Sequence, residues 1–278
     1  MKGNKTRRGI ASILLLVASL VYVSPLLIIL INSFKQKTYI NLEPFSLPGE
    51  RTWAGFENYL ASINEYGLLS SVGWTLMITI GSVIAILLFC SMFAWFISRV
   101  NTAYSRILYI LCVFSMVVPF QMVMFTLSKT ADMLSLTTPW GIIIVYLGFG
   151  AGLSVFMFSG FVKSIPLEVE EAATIDGCSS LGVFFKVVLP IMQPTYISVG
   201  ILQTMWIWND FLLPYLVLDQ RRYKTISMVI QTMRGSYGRV DMGAIMACLV
   251  MAVIPIVVFY LSAQKYIIEG VAAGAVKG

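Results

Sequence analysis

Histidine is absent from the 278 residues, and acids are few, with 13 Asp and Glu against 19 Lys and Arg. Without an imidazole the chain has no His proton relay, no His metal ligand and no Ser-His or Cys-His nucleophilic arrangement. The four cysteines, Cys90, Cys112, Cys178 and Cys248, form no CxxC pair. Three of them sit inside apolar runs, where Cys behaves as a small hydrophobe, and no metal site is expected. No GxxxxGK[ST] stretch occurs, so the chain lacks the usual loop for cradling nucleotide phosphates. Charge of either sign is scarce, at 12% of residues against about 25% in an ordinary soluble domain.

What is abundant is apolar side chain, 58% of the residues. Several apolar stretches exceed the roughly 18 residues that argue for a membrane span. The net charge of +6 is scattered between these runs rather than gathered on one face. Cations so placed meet lipid headgroups at span ends, and nucleic acid is not an expected partner. The basic then apolar N-terminal segment is too long for a signal-peptide core and shows no clear cleavage site, so it reads as a retained first span.

The pattern predicts an all-α polytopic membrane protein with six transmembrane helices, at about 10–31, 72–97, 107–127, 140–162, 191–217 and 242–263. Backbone polar groups in lipid must be bonded within their own segment, which requires helices. The chain reads as one transmembrane domain with no 20–50-residue repeat. Lys2, Lys5, Arg7 and Arg8 form a dense basic cluster without an acid, which places both termini in the cytoplasm. The segment 32–71 then lies outside. There Phe56, Tyr59, Leu60 and Ile63 follow i, i+3, i+4, i+7 spacing, predicting a short amphipathic helix on the interface, with a plain solvent loop as the alternative.

The loop 163–190 between the fourth and fifth spans is the most informative stretch. Ser164 and Pro166 are helix start signals, Glu168, Glu170 and Glu171 suit the first turns, and Gly177 is a natural stop. Ser179 or Ser180 can cap a second helix ending before Pro190, giving a helix-turn-helix. Ala172 and Ala173 leave one side nearly bare for close approach by another backbone. An ordinary charged connection is the competing reading, and these features alone do not separate the two.

The spacing Glu171-Ala172-Ala173, three residues, Gly177, nine residues, then Val187-Val188-Leu189-Pro190 resembles the EAA motif of ABC importer permeases. Asp176 before the glycine fits, while Val187 stands where that family often has Ile. Asn58-Tyr59, Trp208-Asn209-Asp210-Phe211 and the terminal 270–278 segment resemble its carbohydrate subfamily, most of all MalG-like subunits of maltose and multiple-sugar importers. The resemblance implies a bacterial cytoplasmic-membrane permease that conducts a di- or oligosaccharide. It implies a second homologous permease, two copies of a cytoplasmic ATPase holding ATP and Mg, and an extracytoplasmic sugar-binding protein as partners, with no cofactor in this chain. Glu171, Ala172, Ala173, Asp176, Gly177, Leu189 and Pro190 would couple to the ATPase. Ala275, Val276, Lys277 and Gly278, at the end of the tail 264–278, would also reach it.

A mid-membrane acid costs about 2.5–3.5 kcal/mol on insertion scales, so polar residues in spans are expected to face a cavity or partner. Gln203, Trp206 and Asp210 share a face at i, i+3, i+7, with Asn209 at its edge. Amides and carboxylates bond hydroxyls and an indole packs on a sugar ring, which makes these four candidate sugar contacts. Trp206 and Trp208 as interfacial anchors, and Asp210 as a helix cap or partner contact, are the competing roles. Gln121 and Tyr146 are further candidates. Pro119, Pro214 and Pro255 mark expected kinks. An ion-coupled transporter acting alone would need an acidic relay, for which Asp210 has no second acid in the spans. A membrane enzyme would need a nucleophile and base that the spans do not offer.

Overall fold

The computed structural model describes the backbone of residues 2–235 and 240–275, with side chains except those of 2–8, 10, 234, 235 and 267–275. Helices α1 (Lys2–Ser33), α2 (Lys37–Leu42), α3 (Glu57–Asn64), α4 (Leu68–Arg99), α5 (Ala103–Ser115), α6 (Phe120–Met133) and α7 (Pro139–Val162) make up the first part. They are followed by α8 (Leu167–Ile175), α9 (Ser180–Val183), a π-helical turn (Phe184–Val188), α10 (Leu189–Ile191) and α11 (Gln193–Asn209). Then come α12 (Leu212–Val217), α13 (Ile226–Gly235) and α14 (Met242–Ala275). Among the described residues, four helices, in α1, α4, α7 and α14, are long and apolar enough to cross a membrane, and up to six spans result if each of two bent pairs counts as one.

The chain divides into two compact units, residues 1–70 with 229–257 and residues 71–228 with 258–278. In the first, the short helix expected around Phe56 to Ile63 is present as α3. Asn58 on α3 donates its side-chain amide to Ser33 O at 2.8 Å and Lys35 O at 2.9 Å, while the Tyr59 hydroxyl pairs with Ser33 Oγ at 2.6 Å. The Asn58-Tyr59 pair thus ties off the C-terminal end of α1. Lys35 is fully buried there and donates to Glu43 O at 2.7 Å. Burial pushes its ammonium below the ordinary lysine value, and the nearby Glu43 charge pulls it partly back. None of the apolar window of α1 is buried within the chain, against half of that of α7.

The second unit holds a core in which Ile86, Tyr146, Phe158, Phe184, Val188 and Val199 are fully buried. Two glycines of α7 permit its close packing. A Cβ at Gly150 would press on the end of the Ile86 side chain, and one at Gly152 would collide with Met116, Ser115 and the Cys112 carbonyl, so the close approach of α5 depends on glycine at 152. The start of α7 is fixed by Thr138, whose hydroxyl accepts from Gly141 N, with Pro139 in the first turn.

Three expectations are corrected. The third predicted span, 107–127, is two helices, α5 and α6, meeting at a 106° bend. Pro119 cannot donate and holds the residue before it extended, so α5 unwinds past Ser115 and a new helix starts at Phe120. The fifth predicted span, 191–217, is broken at both ends. α11 meets the preceding helical segment at 78°, and Asp210 takes an extended conformation that separates α11 from α12. Pro190 does not end the helix before it. The π-turn, in which Leu189 N–H reaches Phe184 O, widens the backbone and carries the helix through Pro190 to Ile191. Pro255 lies within α14, which runs on through most of the predicted tail to Ala275.

Candidate coupling helix and polar cluster of the broken span

Helix α8 starts after Pro166, whose extended ψ of 134° launches it, with Glu168 and Glu170 in its first turn. It ends at Asp176, and Gly177 follows with φ +88°. That left-handed position suits only glycine without strain. The Ser179 hydroxyl then accepts from Gly182 N and caps α9, so the helix-turn-helix forms where the sequence predicts it. Glu171, Ala172, Asp176 and Gly177 are exposed, Ala173 is half-buried against the core, and Leu189 is half-buried beside exposed Pro190. Ile175, 86% exposed, crowns the free face. Of the tail residues, Val276, Lys277 and Gly278 lie outside the described residues, as does the Ala275 side chain.

Sequence reasoning missed what anchors α8. Glu170 is buried, and Arg99, the last residue of α4, donates to its Oε1 through Nε at 2.9 Å and Nη2 at 2.7 Å. Arg99 Nη2 also donates to Val162 O at 3.1 Å and Ile165 O at 2.9 Å, at the end of α7. Trp95 Nε1 donates to the other carboxylate oxygen, Oε2, at 2.9 Å. One guanidinium therefore joins α4, α7 and α8. A buried pair survives only when its remaining donors and acceptors are satisfied, and here both carboxylate oxygens are. The signal was present as Arg99 at a span end and Glu170 one residue before the motif, but their pairing crosses 71 positions.

The predicted sugar contacts separate. Tyr146 donates its hydroxyl to Asp210 Oδ2 at 3.0 Å, and its ring meets Trp206 edge-on at 5.5 Å between centroids. The other oxygen of Asp210 accepts from Leu212 N at 2.9 Å and Leu213 N at 3.4 Å, so the acid caps α12 across the break. Trp206 and Asn209 are exposed, and Asn209 donates to Met205 O at 2.7 Å. Gln203 is buried against α7, donating to Ser154 Oγ at 3.1 Å and Gly150 O at 3.3 Å, while its Oε1 has no partner. It belongs to helix packing in this conformation. Gln121 is exposed on α6, apart from the cluster.

Comparison with known proteins bears on this geometry. The family described as "Binding-protein-dependent transport system inner membrane component" matches residues 86–272. The chain is 38% identical to a Thermoanaerobacterium thermosulfurigenes protein named as a probable starch degradation products transport system permease, AmyC, over 94% of each chain. It is 32% identical to the multiple sugar-binding transport system permease protein MsmG of Streptococcus mutans, over 95% of each. A crystal structure of a bacterial ABC transporter that imports the acidic polysaccharide alginate superposes with TM-score 0.80, covering 96% of this chain and 98% of that one at 20% identity. At that identity the likeness establishes the fold.

Proposed function

The chain belongs to the binding-protein-dependent transport system inner membrane components, in their carbohydrate permease branch, and from this premise we propose that it is one half of the sugar path of an ATP-driven importer. Its substrate is a di- or oligosaccharide, and its energy comes from an ATPase on separate chains. The observation that carries the proposal is α8, a helix with an exposed face that is fastened by one buried ion pair to α4 and α7.

Two ATPase copies bind ATP and Mg and close on each other. Glu171, Ala172 and Asp176, with the turn at Gly177, seat α8 on one of them, and Ala275 to Gly278 reach the same assembly. Movement of α8 pulls on Arg99, which passes the displacement to α4 and α7 together. Tilting of these helices opens the path to the outside, and hydrolysis resets it. Both termini and α8 lie on the cytoplasmic side, where the basic N-terminal cluster belongs. A homologous second permease and surrounding lipid cover the apolar face of α1, which the chain itself leaves bare. A sugar-binding protein delivers the substrate from the other side.

Within the path, exposed Trp206 and Asn209 meet the sugar, and Tyr146 and Asp210 hold the Trp206 ring and the helix break behind them. The broken backbone at Asp210 supports this reading, because irregular chain at membrane depth is tolerated where it lines a cavity or is buried in protein. The test is purification on a tag attached to this chain, followed by reconstitution. The expected result is co-elution of a second permease and the ATPase, with hydrolysis stimulated by sugar-loaded binding protein. Transport of sugar by this chain alone, driven by an ion gradient, would overturn the proposal.

A further inference from the structure

The ends of α4 and α7 and the start of α5 enclose a cavity of about 310 Å³ that plays no part in the coupling helix. Two cations, Arg106 and Lys163, stand at it with Asn101 and Tyr109. Lys163 Nζ lies 5.5 Å from the Tyr109 ring centroid. None of the ion pairs among the described residues uses either cation, and no acid lines the cavity. Ser98 and Ser159 line it as well, and the Oγ of each is buried without a hydrogen-bond partner. Ser159 is only 1% exposed. A buried hydroxyl without a partner costs free energy unless something fills its site.

A second cavity, of about 650 Å³, lies along the same α5–α7 pair and α6, and its lining is mostly apolar, with Leu111, Phe114, Val145 and Phe149 beside the hydroxyls of Ser115, Thr126 and Thr130. From Arg106 to Leu111 is five helical residues, a rise of roughly 7–8 Å. Ile107 and Ile110, with Leu111 and Phe114 at the second cavity, form an exposed apolar stripe on α5 at i, i+3, i+4, i+7. Cations and free hydroxyls at one end, with apolar space along the helix beyond, match an amphiphile with an anionic head.

We infer that this is a binding site for an acidic phospholipid, its phosphate between Arg106 and Lys163 and an acyl chain along α5. Two cations and two hydroxyl donors suit the charge and oxygens of a phosphate diester. A free phosphate would leave the apolar half unused. The inference needs only that the chain spans a bilayer and stands apart from the sugar path.

The test uses the assembled transporter, delipidated in mild detergent, then mixed with phosphatidylglycerol or phosphatidylcholine and examined by native mass spectrometry. The wild-type complex should retain phosphatidylglycerol over phosphatidylcholine. Combined Arg106→Gln and Lys163→Gln should lower that retention about tenfold. Gly148→Leu should also lower it with both cations intact, since Gly148 lines the apolar cavity and a Cβ there meets nothing. Inorganic phosphate in excess should not displace the lipid. No preference for the acidic lipid in the wild type would overturn the site. Displacement by inorganic phosphate, with Gly148→Leu without effect, would overturn the lipid as its occupant.

Discussion

Arg99 holds three elements through one side chain, and its removal strands Glu170 in a buried position. Breaking a buried pair from one side costs about 3–5 kcal/mol, so Arg99→Met should lower the thermal stability of the purified complex clearly. Glu170→Gln keeps the shape and the Trp95 contact partner, and should cost less. If both variants melt with the wild type, the pair is not an anchor. The polar residues of the broken span divide by exposure. Trp206→Ala should lower sugar uptake while the complex still assembles, because its ring is exposed and only edge-packed on Tyr146. Gln203→Leu should alter assembly or stability instead, since its amide bonds lie within the packing with α7. Equal loss of assembly in the two variants would place Trp206 among the structural residues. Asp210 was legible as a costly acid in a span, and capping the break was one of its foreseen roles. Its bond to Tyr146, 64 residues away, has no local signal.

At the scale of the element, local chemistry predicted what local chemistry determines. Gly177 is left-handed and Ser179 caps the next helix, as their residue types imply. Replacing Gly177 with Val puts a β-branched side chain at φ +88°, which strains the turn whatever space surrounds it. The variant should insert in the membrane at normal levels but lose most sugar-stimulated ATP hydrolysis, and unaltered hydrolysis would remove the turn from the coupling path. The breaks were harder to read. Pro119 was recognised as a kink, yet hydropathy runs unbroken across it, and only the backbone reveals a bend of 106°. Pro190 looked like a stop because a proline normally ends an α-helix. A π-turn removes that conflict, and two of its residues, Phe184 and Val188, are buried in packing that no local window reports.

For the whole molecule, the long apolar stretches were readable from the sequence, but which face of each helix is covered was not, nor that two of the stretches are bent pairs. The apolar residues of α1 are left uncovered by the chain itself, and composition cannot distinguish these from core. Orientation rests on the basic N-terminus. In a chain without native Cys, Phe45→Cys should react with an impermeant maleimide from outside, and Ile175→Cys only after the cell is opened. Both positions are well exposed, at 77% and 86%. The opposite pattern would invert the account. On the proposed function, α8 receives force from an ATPase on another chain. The most direct measurement compares wild type and Ala172→Trp in proteoliposomes holding the complete transporter and sugar-loaded binding protein, recording sugar uptake and ATP hydrolysis together. Ala172 is exposed, so the indole fits without disturbing the fold and obstructs only a docking partner. The account predicts that uptake and sugar-stimulated hydrolysis both collapse while the chain remains in the membrane. Wild-type uptake and stimulation in that variant would contradict it.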